Sequence, residues 1–210
     1  MENILNQLFV RYPKMENLEK HIRQAAELLI ETFRNNGKVL VCGNGGSSAD
    51  AGHITGELMK SFERKRPLQS EIQQKLKTQF GERGSILSEK LQQGLPAISL
   101  SEQTSLITAI SNDLGYEFIF AQQVAGYGNP GDVLLALSTS GNARNVMDAL
   151  IMAKAKGLKT IGMTGETGGK MKEFCDVLIN VPETGTACIQ EMHLPVYHAL
   201  CRIVEKEMYG

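Results

Sequence analysis

Apolar and polar positions change their period several times along the chain, and each change marks an element. Leu18, Ile22, Ala25, Ala26, Leu29 and Phe33 recur at helical spacing and Asn36-Gly37 supplies a stop, so residues 15–36 read as an amphipathic helix. Residues 2–10 read as a shorter helix ending before Pro13. Val39 to Cys42 then break the helical period with a continuous apolar run, the mark of a strand buried on both faces. A helix follows over 48–62. Beyond residue 94 the alternation is regular: strand 95–100, helix 102–110 leading into Ser111-Asn112-Asp113, helix 118–125, strand 133–137, a helix to about Lys156, strands 160–163 and 177–181, and a long last helix over 187–208. Five buried strands separated by helices predict a single α/β domain over 1–210. Its parallel sheet should carry helices on both faces, a flavodoxin-like three-layer sandwich preceded by N-terminal helices. Ligands of such sheets bind at the carboxyl ends of strands, near a switch in strand order.

Residues 63–94 interrupt this rhythm. They are charged, glutamine-rich and broken near Gly81 and Gly84, with Ile72, Leu76 and Phe80 on one helical face and Leu87 and Leu91 on another. The pattern predicts an inserted helical hairpin. A solvated excursion with no binding role is the plain alternative.

Composition narrows the function classes. The net charge of the 210 residues is −1, so no global field attracts nucleic acid or anionic lipid, and neither is expected as a partner. No apolar run approaches a membrane span, and the opening MENILNQLF lacks a secretory pattern. Cys42, Cys175, Cys188 and Cys201 stand singly and far apart, which is neither a zinc-binding spacing nor a disulfide framework. A cytoplasmic protein with four core or near-core thiols is the expectation.

Candidate chemistry starts at the end of the first strand. Gly43-Asn44-Gly45-Gly46-Ser47-Ser48 allows a sharp turn into a helix, with Ser47 or Ser48 available as cap and Ser47 with Asp50 resembling a capping box. Such a turn aims free amides and the positive end of a helix at one point, which suits a phosphate. Ser138-Thr139-Ser140-Gly141-Asn142 repeats the equipment after the third strand. Two neutral loops on one sheet edge could surround a phosphate without lysine or arginine. His53 and Glu57, four residues apart, share a helix face and suit either a metal pair or an acid–base pair. On the last helix Glu191 and His198 line up seven residues apart, with Gln190 offset by roughly 80°. Pro195 between them removes the bond to the Glu191 carbonyl and favours a kink, so geometry leaves Gln190 and Glu191 unranked.

These stretches together resemble the SIS (sugar isomerase) domain family, and most closely its phosphoheptose isomerases. The matching residues are GNGGSSADAGH at 43–53, Glu57, SND at 111–113, LALSTSGN at 135–142, GMTG at 162–165 and QEMHLPVYH at 190–198, in order over most of the chain. The resemblance implies Glu57 and His198 as the groups that exchange protons with a sugar. It implies Ser47, Ser138, Thr139 and Ser140 as phosphate-binding hydroxyls, with Asn44, Gly45, Gly46, Asp113 and Gln190 near the substrate. It also implies a zinc ion on His53, Glu57, Gln190 and His198, selecting Gln190 over Glu191, and a homotetramer with sites built between subunits. The implied reaction is sedoheptulose 7-phosphate to D-glycero-D-manno-heptose 7-phosphate through an enediol, the first step of nucleotide-activated heptose synthesis for lipopolysaccharide or another heptose glycan.

A rival reading comes from a branch of the same family that binds the replication initiator DnaA without catalysis. That branch lacks the acid at the Glu57 position and the histidine at the His198 position, and this chain has both. A sugar-phosphate sensor is disfavoured because no DNA-binding segment accompanies the domain. Two departures from the isomerase pattern stand out: the long 63–94 crossover, and Ala187 where the isomerases place an aspartate.

Overall fold

A computed structural model describes all 210 residues. Its elements are α1 (Glu2–Arg11), α2 (Glu19–Arg34), β1 (Val39–Gly43), α3 (Gly46–Met59), α4 (Ser70–Lys90), β2 (Ala97–Ser99), α5 (Thr104–Asp113), α6 (Ile119–Tyr127), β3 (Val133–Leu137), α7 (Arg144–Ala155), β4 (Lys159–Thr164), β5 (Val177–Asn180) and α8 (Thr186–Tyr209). The five strands form one wholly parallel sheet in the order β2-β1-β3-β4-β5.

The apolar runs of the strands divide by the twofold period of a pleated strand. Val39, Val41, Leu135, Leu137, Ile161 and Met163 face a core shared with α1, α2, α3 and α8. Leu40, Cys42, Leu134 and Ala136 face a second core shared with α5, α6 and α7. A sheet buried on both faces and covered by two helical layers is the predicted sandwich. Its strand order reverses between β1 and β3, so the loops after those two strands flank the switch-point crevice.

Boundaries differ from expectation in instructive ways. Residues 13–18 wind as a 3₁₀ turn, because Pro13 leads it, and α2 starts only at Glu19. The segment 95–100 pairs over only three residues, since β2 is an edge strand and Leu95 instead donates to the Leu58 carbonyl. α5 continues through Ser111-Asn112-Asp113 rather than stopping before them. α8 runs unbroken through Pro195. Cys42 and Cys201 are buried and Cys175 is half-buried, but Cys188 is exposed near the start of α8, against the expectation of four interior thiols.

Within residues 63–94 the helical part is α4, bent at Gly81. Gly81 reverses the chain within α4 at φ 52°, ψ −134°, and Gly84 packs so closely on the Leu76 carbonyl that a side chain there would collide with it. A bridge between Pro67 and Gln92 closes its stem. Leu76 and Leu87 are half-buried, whereas Phe80 is 60% and Leu91 50% exposed.

Candidate active site

The first loop turns on Gly45, whose φ of 57° and ψ of −122° only glycine adopts without strain. That turn moves the start of α3 forward to Gly46, so Ser47 lies inside the first turn with its side chain buried and no side-chain cap forms. The capping box with Asp50 is absent for the same reason, and Asp50 instead accepts from the Tyr197 hydroxyl at 3.2 Å. Asn44 exchanges two side-chain hydrogen bonds with Asn145, at 2.9 and 3.0 Å. Asn145 is fully buried in the first turn of α7, so this pair ties the two loops of the switch point together. No sequence signal beyond its place three residues after Asn142 marks Asn145.

The second loop is held from below. Gly141, at φ 64°, packs directly on the backbone of Gly168 and Gly169, an approach that no side chain at that position would permit. Ser138 is buried and Ser140 is exposed, with the Ser140 hydroxyl accepting from the Asn142 amide at 3.2 Å. The amides of Gly45, Thr139 and Ser140 have no protein acceptor. The edge of the sheet therefore offers three N–H donors and several hydroxyls at two helix starts, with no cation among them, which is anion-binding chemistry.

The titratable cluster lies where α3 meets α8. His53 Nε2 is 3.2 Å from Glu57 Oε1, and His198 Nε2 is 3.4 Å from His53 Nε2. The rings of His53 and His198 meet edge to face at 4.9 Å, with Phe62 tilted against His198 at 5.3 Å. Tyr197 binds the other nitrogen of His53, Nδ1, at 3.0 Å. His53 therefore meets Tyr197 through Nδ1 and both Glu57 and His198 through Nε2. Burial raises the Asp50 pKa, with the Tyr197 bond opposing. Burial and the neighbouring His53 lower that of His198, with Glu57 opposing, so His198 is neutral at pH 7.

Gln190 projects from the first turns of α8 onto Gly46, where any side chain at residue 46 would overlap its carboxamide, whereas Glu191 is exposed. The contact puts Gln190, and not Glu191, beside the first loop. Asp113 does not join the group: it is exposed at the end of α5, and its one side-chain bond is to Asn112. Ala187 is exposed at the start of α8. A third histidine, His193, is fully buried, contacts the Thr164 carbonyl at 3.3 Å, and has its pKa lowered by burial to about 4, so it serves the core. Asp50, Tyr197 and Asn145 enter the site through structure alone.

Comparison with known proteins places the chain among relatives of one family. The SIS domain model matches residues 10–93 and 78–165. A phosphoheptose isomerase of Helicobacter pylori is 43% identical over 91% of this chain and 86% of its own length. One from Burkholderia pseudomallei is 42% identical over 93% and 86%. The solved phosphoheptose isomerase GmhA from Neisseria gonorrhoeae superposes with a TM-score of 0.75 at 34% identity, covering 98% of this chain and 96% of its own.

Proposed function

The chain belongs to the SIS domain family, and from that premise we propose that it interconverts sedoheptulose 7-phosphate and D-glycero-D-manno-heptose 7-phosphate. The observation that carries this reading is the adjacency of a neutral, amide-lined anion site to a carboxylate–imidazole cluster. Both acidic Glu57 and His198 are present, so nothing favours the initiator-binding alternative.

In this scheme the two loops hold the phosphate and the sugar's C1–C2 end reaches the α3–α8 seam. The Glu57 carboxylate removes a proton from C1, the electron pair forms the C1–C2 double bond, and the C2 oxygen gains a proton, giving the enediol. Return of a proton to C2 with loss of one from O1 completes the aldose, with no net change in atoms or charge. A neutral His198 suits the oxygen side of this exchange, since an imidazole N–H polarises a carbonyl and passes a proton without fixing a positive charge there. The test is incubation with sedoheptulose 7-phosphate and separation of aldose from ketose: appearance of the heptose aldose supports the reading, and unchanged ketose rejects it.

Zinc on His53, Glu57, Gln190 and His198 is a competing scheme for the same residues, since a ligated His198 is poorly placed to donate a proton. The donor chemistry fits: His53 Nε2 lies 3.2 Å from the Glu57 carboxylate and 3.4 Å from His198 Nε2, close to the edge of a tetrahedron with bonds of roughly 2.0–2.1 Å. No three His, Cys, Asp or Glu side chains already close around one point, so the set would have to contract on an ion. When bound, zinc would supply Lewis-acid stabilisation of the enediolate oxygens. Metal analysis before and after chelation tests it; undiminished activity in metal-free protein would remove zinc from the scheme. Assembly as a homotetramer is supported by exposed apolar side chains such as Val10, Phe80 and Leu114, and a reducing cytoplasm by four unpaired thiols. A role in heptose glycan synthesis follows from the product.

A further inference from the structure

Arg66 is the largest fully buried side chain in the protein, and no reading of the reaction so far uses it. It sits in the stem of the 63–94 insertion, yet all its bonds go to the site's scaffold. Its Nη2 donates to the Glu57 carbonyl at 3.0 Å, its Nη1 to the Leu58 carbonyl at 2.6 Å, and its Nε to Glu205 Oε1 at 2.8 Å. Carbonyls in the last turn of a helix have no intrahelical donor, so Arg66 closes the C-terminus of α3 where a cation also complements the helix dipole.

Glu205 completes the clamp from the other side. It is 1% exposed and accepts, besides Arg66, the amides of Phe62 at 2.8 Å, Glu63 at 2.9 Å and Arg64 at 3.1 Å. It stands seven residues after His198, two turns along the same face of α8. One short path therefore joins the backbone of Glu57 to the helix face that carries His198, through two buried side chains.

We propose that Arg66 and Glu205 are positioning residues that fix Glu57 against His198 across the α3–α8 seam, so that the stem of the insertion braces the acid–base pair. The proposal rests on the assignment of Glu57 and His198 to proton transfer. Misplacing reacting groups by a fraction of an ångström slows chemistry far more than it weakens binding at distant loops. Losing the clamp should therefore lower kcat and leave substrate affinity almost unchanged.

The experiment compares Arg66→Lys, which keeps the charge but not the fork, and Glu205→Gln, which keeps the shape but not the charge. Each is assayed well below its own melting temperature, with kcat expressed per binding-competent molecule counted by calorimetry with sedoheptulose 7-phosphate. The expected result is a fall in kcat of about tenfold or more, with KM and Kd within about twofold of the parent. A merely structural role would lower the melting temperature and the competent fraction but leave kcat per competent molecule intact, and that result overturns the proposal. Should Arg66→Lys not fold, Glu205→Gln is judged by the same criterion. Glu57→Gln run in parallel separates the two claims. If it loses turnover while the clamp variants keep theirs, only the clamp falls; if it turns over normally, the acid–base assignment itself falls.

Discussion

The two halves of the site are built from opposite materials. The switch-point loops are neutral, with free amides and hydroxyls held by glycine turns and by the Asn44–Asn145 pair. The α3–α8 seam, in contrast, links two imidazoles, a carboxylate, a tyrosine and a second, half-buried acid pair by pair at hydrogen-bond distance. Neutral donors grip a phosphate equally well before and during reaction, whereas titratable groups change state as a proton moves. The contrast supports the proposed division of labour, in which the loops bind and the seam reacts.

The sharpest way to break that division is at the seam. His198→Asn keeps a hydrogen-bonding side chain but removes the imidazole, and turnover should fall by roughly a hundredfold to ten-thousandfold with substrate binding retained, measured by steady-state kinetics beside calorimetry. A comparable loss of binding would mean that His198 belongs to the gripping half.

A second effect separates the histidines of α8 from one another. His193 is neutral in the fold with its pKa near 4, against about 6.5 unfolded, so the unfolded chain takes up the extra proton as pH falls. Its contribution is constant above pH 6.5 and is lost progressively down to pH 4, by about 3 kcal/mol. Urea unfolding across that window should show this slope in the parent and not in His193→Gln, whereas His198→Asn should leave it in place.

Ser140→Ala probes the binding half and should be milder. Removing one neutral hydrogen bond raises the substrate Kd by a factor equivalent to about 1 kcal/mol and leaves kcat nearly unchanged. The smallest catalytic effect is expected from the hairpin tip, residues 70–90, where Ile72, Phe80 and Ile86 are exposed. Replacing 70–90 by a short linker, with the Arg66 stem retained, should weaken assembly in sedimentation while each subunit keeps its fold. An intact tetramer would leave the hairpin as a solvated excursion.

Much of this was legible in the residues because the signals were local. Continuous apolar runs announced the five strands, and glycine- and serine-rich turns after two of them announced the loops. Resemblance singled out Glu57, His198 and Gln190, and the packing of Gln190 on Gly46 supplies the geometric reason that helix spacing lacked. The start of α3 was misread because serine caps usually announce a helix, while here the backbone of Gly45 makes the turn and frees Asp50 for Tyr197. Arg66 was illegible for a different reason. Within the run Glu63-Arg64-Lys65-Arg66 every side chain looks solvated, and the partner that buries one of them lies 139 residues away. Long-range polar pairs leave no periodicity, so only the folded arrangement reveals them.

The most direct test of the division between loops and seam is proton exchange in heavy water. With sedoheptulose 7-phosphate in D2O, the parent protein should yield aldose carrying deuterium at C2. Glu57→Gln should bind the same sugar with similar Kd and incorporate no deuterium above background. Deuterium incorporation by Glu57→Gln at the parental rate would contradict the account.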